Sequence, residues 1–178
     1  MPKTVCARAQ FIVRFFMIAL PRTGSVPEFQ ETSLGLIKKL EDQEDGMPKT
    51  LQLKTTARSD MVDITPAVQR EIDRTGIKDG LCIVYVPHTT AGITINEGAD
   101  PAVCQDLLGK LNELVPQDPG YRHMEGNADS HVKASLMGSS VAILVEGGGA
   151  VLGTWQKIFF CEFDGPRSRR VYVKVQGS

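Results

Sequence analysis

The sequence predicts an α+β domain with a mostly antiparallel sheet or sandwich and a few short helices. Three observations carry this expectation. Several short segments alternate apolar and polar residues, as half-buried strands do. Two helical stretches open on a proline preceded by a capping residue type. The C-terminal third is a series of apolar strands separated by Gly- and Pro-bearing turns. At 178 residues the chain is long enough to bury a real hydrophobic core in one such domain.

Taken in order, Leu51, Leu53 and Thr55 alternate with Gln52, Lys54 and Thr56 as a first strand. Thr65-Pro66 reads as an N-cap with Pro at the first helical position, and Val68, Ile72 and the stop Gly76 complete a short amphipathic helix. Leu81 to Val86 is a continuous apolar run between Gly80 and Pro87, which predicts a strand covered on both faces. Asp100-Pro101 opens a second helix, with Val103, Leu107, Leu108, Leu111 and Leu114 as its apolar stripe and Pro116 as its stop. A polar loop over 116–128 leads to a third short helix, capped by Asp129 or Ser130 and ended by Gly138. Val141–Val145, Ala150–Phe160 and the alternating Val171, Val173 and Val175 then predict three strands around the Gly147–Gly149 and Asp164–Pro166 turns.

Composition narrows the function. The net charge is −1, and the short Arg167, Arg169, Arg170 group is the only basic cluster outside the N-terminal region, which argues against broad nucleic-acid binding. The four cysteines form no CxxC pair, and Cys82 and Cys161 sit in apolar runs as buried free thiols would, so a reduced, cytoplasmic setting is expected. Residues 1–46 stand apart as an N-terminal extension, either disordered or targeting. Lys3, Arg8, Arg14 and Arg22 precede any acid, a pattern that also suits an organelle-targeted precursor. The apolar run Phe11–Leu20, interrupted by Arg14, is too short to span a bilayer, so no membrane role is expected. Met-Pro-Lys-Thr recurs at 1–4 and 47–50, which places the domain at 47–178.

The three histidines, His88, His123 and His131, all lie between residues 88 and 131 among small polar and acidic side chains. Imidazole titrates nearest neutral pH and is the commonest metal ligand, so this bunching marks a candidate site; unrelated structural roles are the competing reading. His88 sits just past a predicted strand, followed by Thr89 and Thr90, whose hydroxyls suit an anionic oxygen. Asn96 and Glu97 are placed to bond its ring and set the tautomer. Three histidines with a carboxylate would suit Zn²⁺, whereas carboxylates and phosphate oxygens alone would suit Mg²⁺. Without a metal, the histidines would bind phosphate or donate protons. The N-terminus of the third helix favours anions, with Arg122, Lys133 and Arg167 as side-chain partners. Trp155, the lone tryptophan on a predicted strand, is expected in the core or at an interface, Glu162 pairs with an arginine or faces the histidines, and Arg169 and Arg170 are expected to be solvated.

HTTAGITINEGADPAV, YRHMEGNADSH, LGTWQ and EFDGPR, in this order and spacing, resemble the YjbQ family over nearly all of residues 50–178. The resemblance implies a compact fold around a β-sandwich, a homotrimer, and, as in members described as secondary thiamine-phosphate synthases, the joining of a pyrimidine diphosphate to a thiazole phosphate. Many members carry two adjacent Asp and a Met-Pro before the equivalent of His131; here the run is Asn127-Ala128-Asp129-Ser130, with one Asp. The expected catalytic residues are His88, His123, His131 and Glu97. Thr89, Thr90, Asn96, Arg122, Asn127 and Lys133 are expected to bind a small phosphorylated or anionic ligand. His88, His123, His131, Glu125 and Asp129 are the candidate ligands of a divalent cation, Mg²⁺ or Zn²⁺. The alternative is a non-catalytic trimeric domain that binds a metal or an anion.

Overall fold

A computed structural model describes residues 47–178; the extension at 1–46, with Cys6 and the targeting segment read there, lies outside the described residues. The elements are β1 (Lys49–Lys54), β2 (Asp60–Asp63), α1 (Thr65–Thr75), β3 (Gly80–Tyr85), β4 (Ala91–Glu97), α2 (Pro101–Leu114), α3 (Ala128–Met137), β5 (Ser140–Glu146), β6 (Gly149–Ala150), β7 (Gln156–Glu162) and β8 (Ser168–Gly177). All pairings are antiparallel. They form a five-stranded sheet, β1-β8-β3-β5-β6, and a three-stranded sheet, β2-β7-β4. The α+β sandwich read from the sequence is the one observed.

The two sheets enclose the main core. Cys82, Val84, Ile143, Val145, Val171 and Val173 come from the large sheet, Ile93, Ile158 and Phe160 from the small one, and Val68 and Ile72 from α1. β7 is buried on both faces, because its alternate residues Phe159 and Cys161 meet a second cluster with Phe163 and Ala134, against which Cys104, Leu108, Leu111 and Met137 pack. Helices α2 and α3 therefore roof the outer face of the small sheet. The outer face of the large sheet has no such roof among the described residues, so Leu81, Ile83, Tyr85 and Leu144 are exposed. That corrects the expectation that the Leu81–Val86 strand is covered on both faces.

Local signals explain most boundaries. Asp100 caps α2 by accepting from the Ala102 N–H at 2.8 Å, with Pro101 in the first turn. Gly76 ends α1 in the left-handed region at φ 69°. Thr65 is not the cap: α1 already includes it, and its hydroxyl accepts from the Ile158 N–H of β7 at 2.8 Å, tying the helix to the sheet. Neither Asp129 nor Ser130 caps α3, which follows Asn127; both side chains are drawn inward instead. The single long strand expected over 150–160 is two, because β6 belongs to the large sheet and β7 to the small one. Trp155 lies in the turn between them and is exposed, rather than on a strand. No helix among the described residues is long and apolar enough to cross a membrane.

Candidate functional site

His88 owes its position to the end of β3. That strand stops at Tyr85, opposite Tyr172 of β8, so the Arg170 N–H of β8 runs past its neighbour. His88 fills the gap: its Nε2 accepts from the Arg170 N–H at 2.9 Å. A neutral ring that accepts through Nε2 carries its proton on Nδ1, so this bond fixes the tautomer. Burial lowers the ring's pKa, and the charges of Arg169 and Arg170 push in the same direction. His88 is thus held neutral through neutral pH. A folded-state pKa below the unfolded value means its contribution to stability is present above the unfolded pKa and is lost as pH falls through the folded one. In a pH titration followed by NMR, the His88 ring should protonate below about 6.5, the ordinary value. A midpoint at or above that value would remove the electrostatic assignment.

Behind His88 lies a buried polar knot. Glu162 takes Arg169 through both carboxylate oxygens, with Arg169 Nε at 2.6 Å. Arg169 Nη2 also donates to Thr90 Oγ1 at 2.8 Å, and Thr55 Oγ1 donates to Glu162 at 3.1 Å. Burial alone would raise the Glu162 pKa, but the Arg169 guanidinium, the Asp164 N–H and Thr55 hold it below the usual value. Arg169 is therefore buried, not solvated, because the period of two that points Val171, Val173 and Val175 inward also points Arg169 inward. Thr90 is committed to this knot, while Thr89 stays exposed.

The other two histidines do meet. His131 on α3 and His123 in the loop before it have ring centroids 5.1 Å apart, edge to face. Glu125 Oε2 stands 3.7 Å from His123 Nε2, an ion pair only when the ring is protonated. Below them runs a chain of charges. Lys133 Nζ donates to Asp129 at 2.9 Å and to Asn112 at 2.7 Å, Arg58 donates to Asp129 at 3.0 Å, and Asn127 and Arg167 both donate to Asp164. Burial would raise the Asp129 pKa, and Lys133 with Arg58 brings it below the ordinary value. Asn127 Oδ1 is buried with no hydrogen-bond partner among the described residues. Arg122 is exposed.

The two groups share one end of the sandwich. Phe163 N donates to Thr90 O at 3.1 Å, and Ser130 Oγ donates to Phe163 O at 2.5 Å, which links the His88 corner to α3. No ring contact joins His88 to either of the other histidines. No group of three or more His, Cys, Asp or Glu that could hold a metal occurs among the described residues. Several expected ligands are committed elsewhere: His88 through Nε2, Asp129 to two cations, and the buried Lys133 to Asp129 and Asn112. Asn96 and Glu97 do not reach His88 at all. They close β4, roughly 20 Å along a strand that starts next to Thr90, and Asn96 Oδ1 accepts from the Glu97 N–H.

The sequence profile of a family described as "UPF0047 protein YjbQ-like" matches residues 49–178. The chain belongs to the YjbQ family. Among its YjbQ relatives, the UPF0047 protein YugU of Bacillus subtilis is 53% identical over 132 residues, covering 74% of this chain and 100% of YugU. A UPF0047 protein of Methanocaldococcus jannaschii is 52% identical over 126 residues, covering 71% of this chain and 91% of its own. Among solved structures, a YjbQ/UPF0047 protein of Clostridium acetobutylicum, uncharacterised, matches with TM-score 0.71 at 51% identity, covering 72% of this chain and 99% of that one. A protein of unknown function from Sulfolobus solfataricus matches with TM-score 0.71 at 34% identity, covering 74% and 96%. The YjbQ assignment thus accounts for the sandwich and for all four sequence motifs, and the activity has to be argued from the site.

Proposed function

We propose that this YjbQ-family protein is an enzyme acting on small phosphorylated compounds, and that thiamine phosphate formation is the reaction to test. In that reaction the methylene–oxygen bond of a pyrimidine diphosphate breaks, pyrophosphate leaves with the electron pair, and the thiazole nitrogen takes the carbon. The observation that carries the reading is the His88 corner. A neutral imidazole with a fixed tautomer, an exposed Thr89 and the cation of Arg170 occupy one stiff strand end. Nδ1–H donates a hydrogen bond to a departing phosphate oxygen while the ring keeps its proton, and Arg170 supplies positive charge where negative charge develops. A divalent cation, Mg²⁺ or Zn²⁺, would neutralise the diphosphate when bound. His123 and His131, with Glu125 beside His123, do not make a metal group by themselves, so a cation there would take its other positions from substrate oxygens or a second copy of the chain.

The bare outer face of the large sheet, with Leu81, Ile83, Tyr85 and Leu144, supports self-association, and we assign the homotrimer to it. Light scattering should then give a mass near three times 19.4 kDa. The alternative reading, a trimeric domain that binds a metal or an anion without turnover, draws on the structural bond that already occupies His88 Nε2. Product formation by the full chain, with Mg²⁺ and with Zn²⁺, separates the two. His88→Gln keeps an acceptor for the Arg170 N–H but not the rigid ring that aims Nδ1–H, so turnover should fall by about 10²-fold or more with the melting temperature little changed. Unchanged turnover in His88→Gln would remove the catalytic role, and no product from the parent chain under either metal would leave the binder.

A further inference from the structure

The connection from β3 to β4, residues 86–90, carries the chain from the large sheet to the small one. Its last three residues, His88, Thr89 and Thr90, are held at both ends by neighbouring residues of β8. At one end the Arg170 N–H donates to His88 Nε2 at 2.9 Å; at the other Arg169 Nη2 donates to Thr90 Oγ1 at 2.8 Å. The two bonds close a small ring, with residues 88–90 on one side and 169–170 on the other. Arg169 cannot swing away to open it. Glu162 holds the guanidinium from the small sheet through both carboxylate oxygens, and Thr55 at the end of β1 braces Glu162 in turn. Thr90 is also fixed through its backbone, because its carbonyl accepts from the Phe163 N–H at 3.1 Å.

Thr90 is 6% exposed and Arg169 7%, so neither the hydroxyl nor the guanidinium is offered to a ligand. Their role lies in what they do to the half-buried ring beside them. A neutral imidazole has two tautomers close in energy, and one hydrogen bond to Nε2 biases that choice only modestly. A ring on a loose connection would turn and donate through Nε2 to water. What keeps Nε2 on the Arg170 N–H is the placement of the backbone that carries the ring, and that placement ends on Thr90.

We infer that Thr90, gripped by the Arg169–Glu162 pair, is a positioning residue for His88: its hydroxyl anchors the connection so that Nε2 stays on the Arg170 N–H and the ring proton stays on Nδ1. The inference rests on the reading of His88 as a donor to a departing oxygen only for its effect on turnover. Nitrogen-15 NMR of the histidine rings in the full chain, at a pH where His88 is neutral, tests it. The parent should show His88 as the Nδ1–H form. Thr90→Val keeps the shape of the side chain and loses the acceptor. It should lower the ratio of Nδ1–H to Nε2–H by about two- to tenfold, the equilibrium worth of one hydrogen bond. Thr90→Ser keeps the hydroxyl and should hold the parent ratio. Arg169→Lys keeps the charge beside Glu162 but lacks the fork that reaches Thr90, so it should move the ratio as valine does, and it serves should Thr90→Val not fold. An Nε2–H ring in the parent, or a ratio unmoved in the folded variants that lack the Thr90–Arg169 bond, overturns the inference. So does the reverse order, serine shifted and valine like the parent, since that is the mark of a side chain that only fills space. Thiamine phosphate formation should fall with the ratio, in kcat rather than KM. A ratio that moves while turnover does not would keep the positioning role and remove His88 from the chemistry.

Discussion

Glu162→Ala should destabilise the domain by about 3–5 kcal/mol, the range for removing one partner of a buried ion pair. Glu162 is 0% exposed and accepts five hydrogen bonds, from Arg169 Nε and Nη2, Thr55 Oγ1, Phe163 N and Asp164 N. Without the carboxylate, Arg169 is left charged in the interior with Thr90 as its one side-chain acceptor, and the Asp164 N–H loses its acceptor while the Phe163 N–H keeps only Thr90 O. Chemical denaturation of the full chain should show the loss as a lower midpoint at unchanged slope. Glu162→Leu combined with Arg169→Met should recover part of it, because no unpaired charge then remains. A fall below about 1 kcal/mol in the single variant would mean that water reaches the pair and that the knot is not a structural element. The same group links stability to pH. Its folded-state pKa lies below the unfolded one, so the contribution is present above the ordinary carboxylate pKa and is lost as pH falls through the lowered value.

Which parts of the molecule could be read from sequence depends on where large apolar residues fall. β1, α1, α2, β5 and β8 carry such residues at a clear period and were legible. β4 was not. Its sequence, AGITINE, has Gly92 where α3 comes closest: a Cβ there would lie 2.8 Å from Gly138 O and from Met137 Cβ. A strand pressed this tightly against a helix is built from small residues, so it gives a weak apolar signal. With no strand read there, nearness in sequence put Asn96 and Glu97 beside His88, and the strand carries them to its far end. β2, four residues flanked by aspartates at each end, was too short to show a period.

The site divides along the same line. His88 at the end of a strand was visible because the run before it is unambiguous. The meeting of His123 with His131 depends on how an exposed loop folds back, which no local pattern specifies. Arg169 was misjudged by its charge, although counting back in twos from Val175 places it inward. Lys133 was misjudged in the same way. Asp129, Ser130 and Lys133 lie on the buried side of α3, so residues that look like ligand partners are part of how the helix is held.

Lys133→Met decides between those two roles. Lys133 and Asp129 are 3% and 2% exposed at the side chain, four apart on α3, and paired at 2.9 Å. The ammonium also reaches Asn112 of α2, while Arg58 approaches Asp129 from the segment before β2. One buried cation thus ties together the two helices that roof the small sheet. Methionine keeps the length and apolar stem of lysine but removes the charge, leaving Asp129 with the half-exposed Arg58 as its one partner. The expected loss is again about 3–5 kcal/mol. For a domain of this size it should appear as a drop in melting temperature of roughly 10–20 °C. Asp129→Asn combined with Lys133→Met should be less damaging than the single change, since it removes the stranded carboxylate as well. If Lys133 instead served an anionic ligand directly, the single variant would melt near the parent temperature and lose only ligand affinity. A cation with about 3% of its side chain accessible and two short hydrogen bonds inside the fold has little left to offer a ligand, so the stability loss is the outcome to expect.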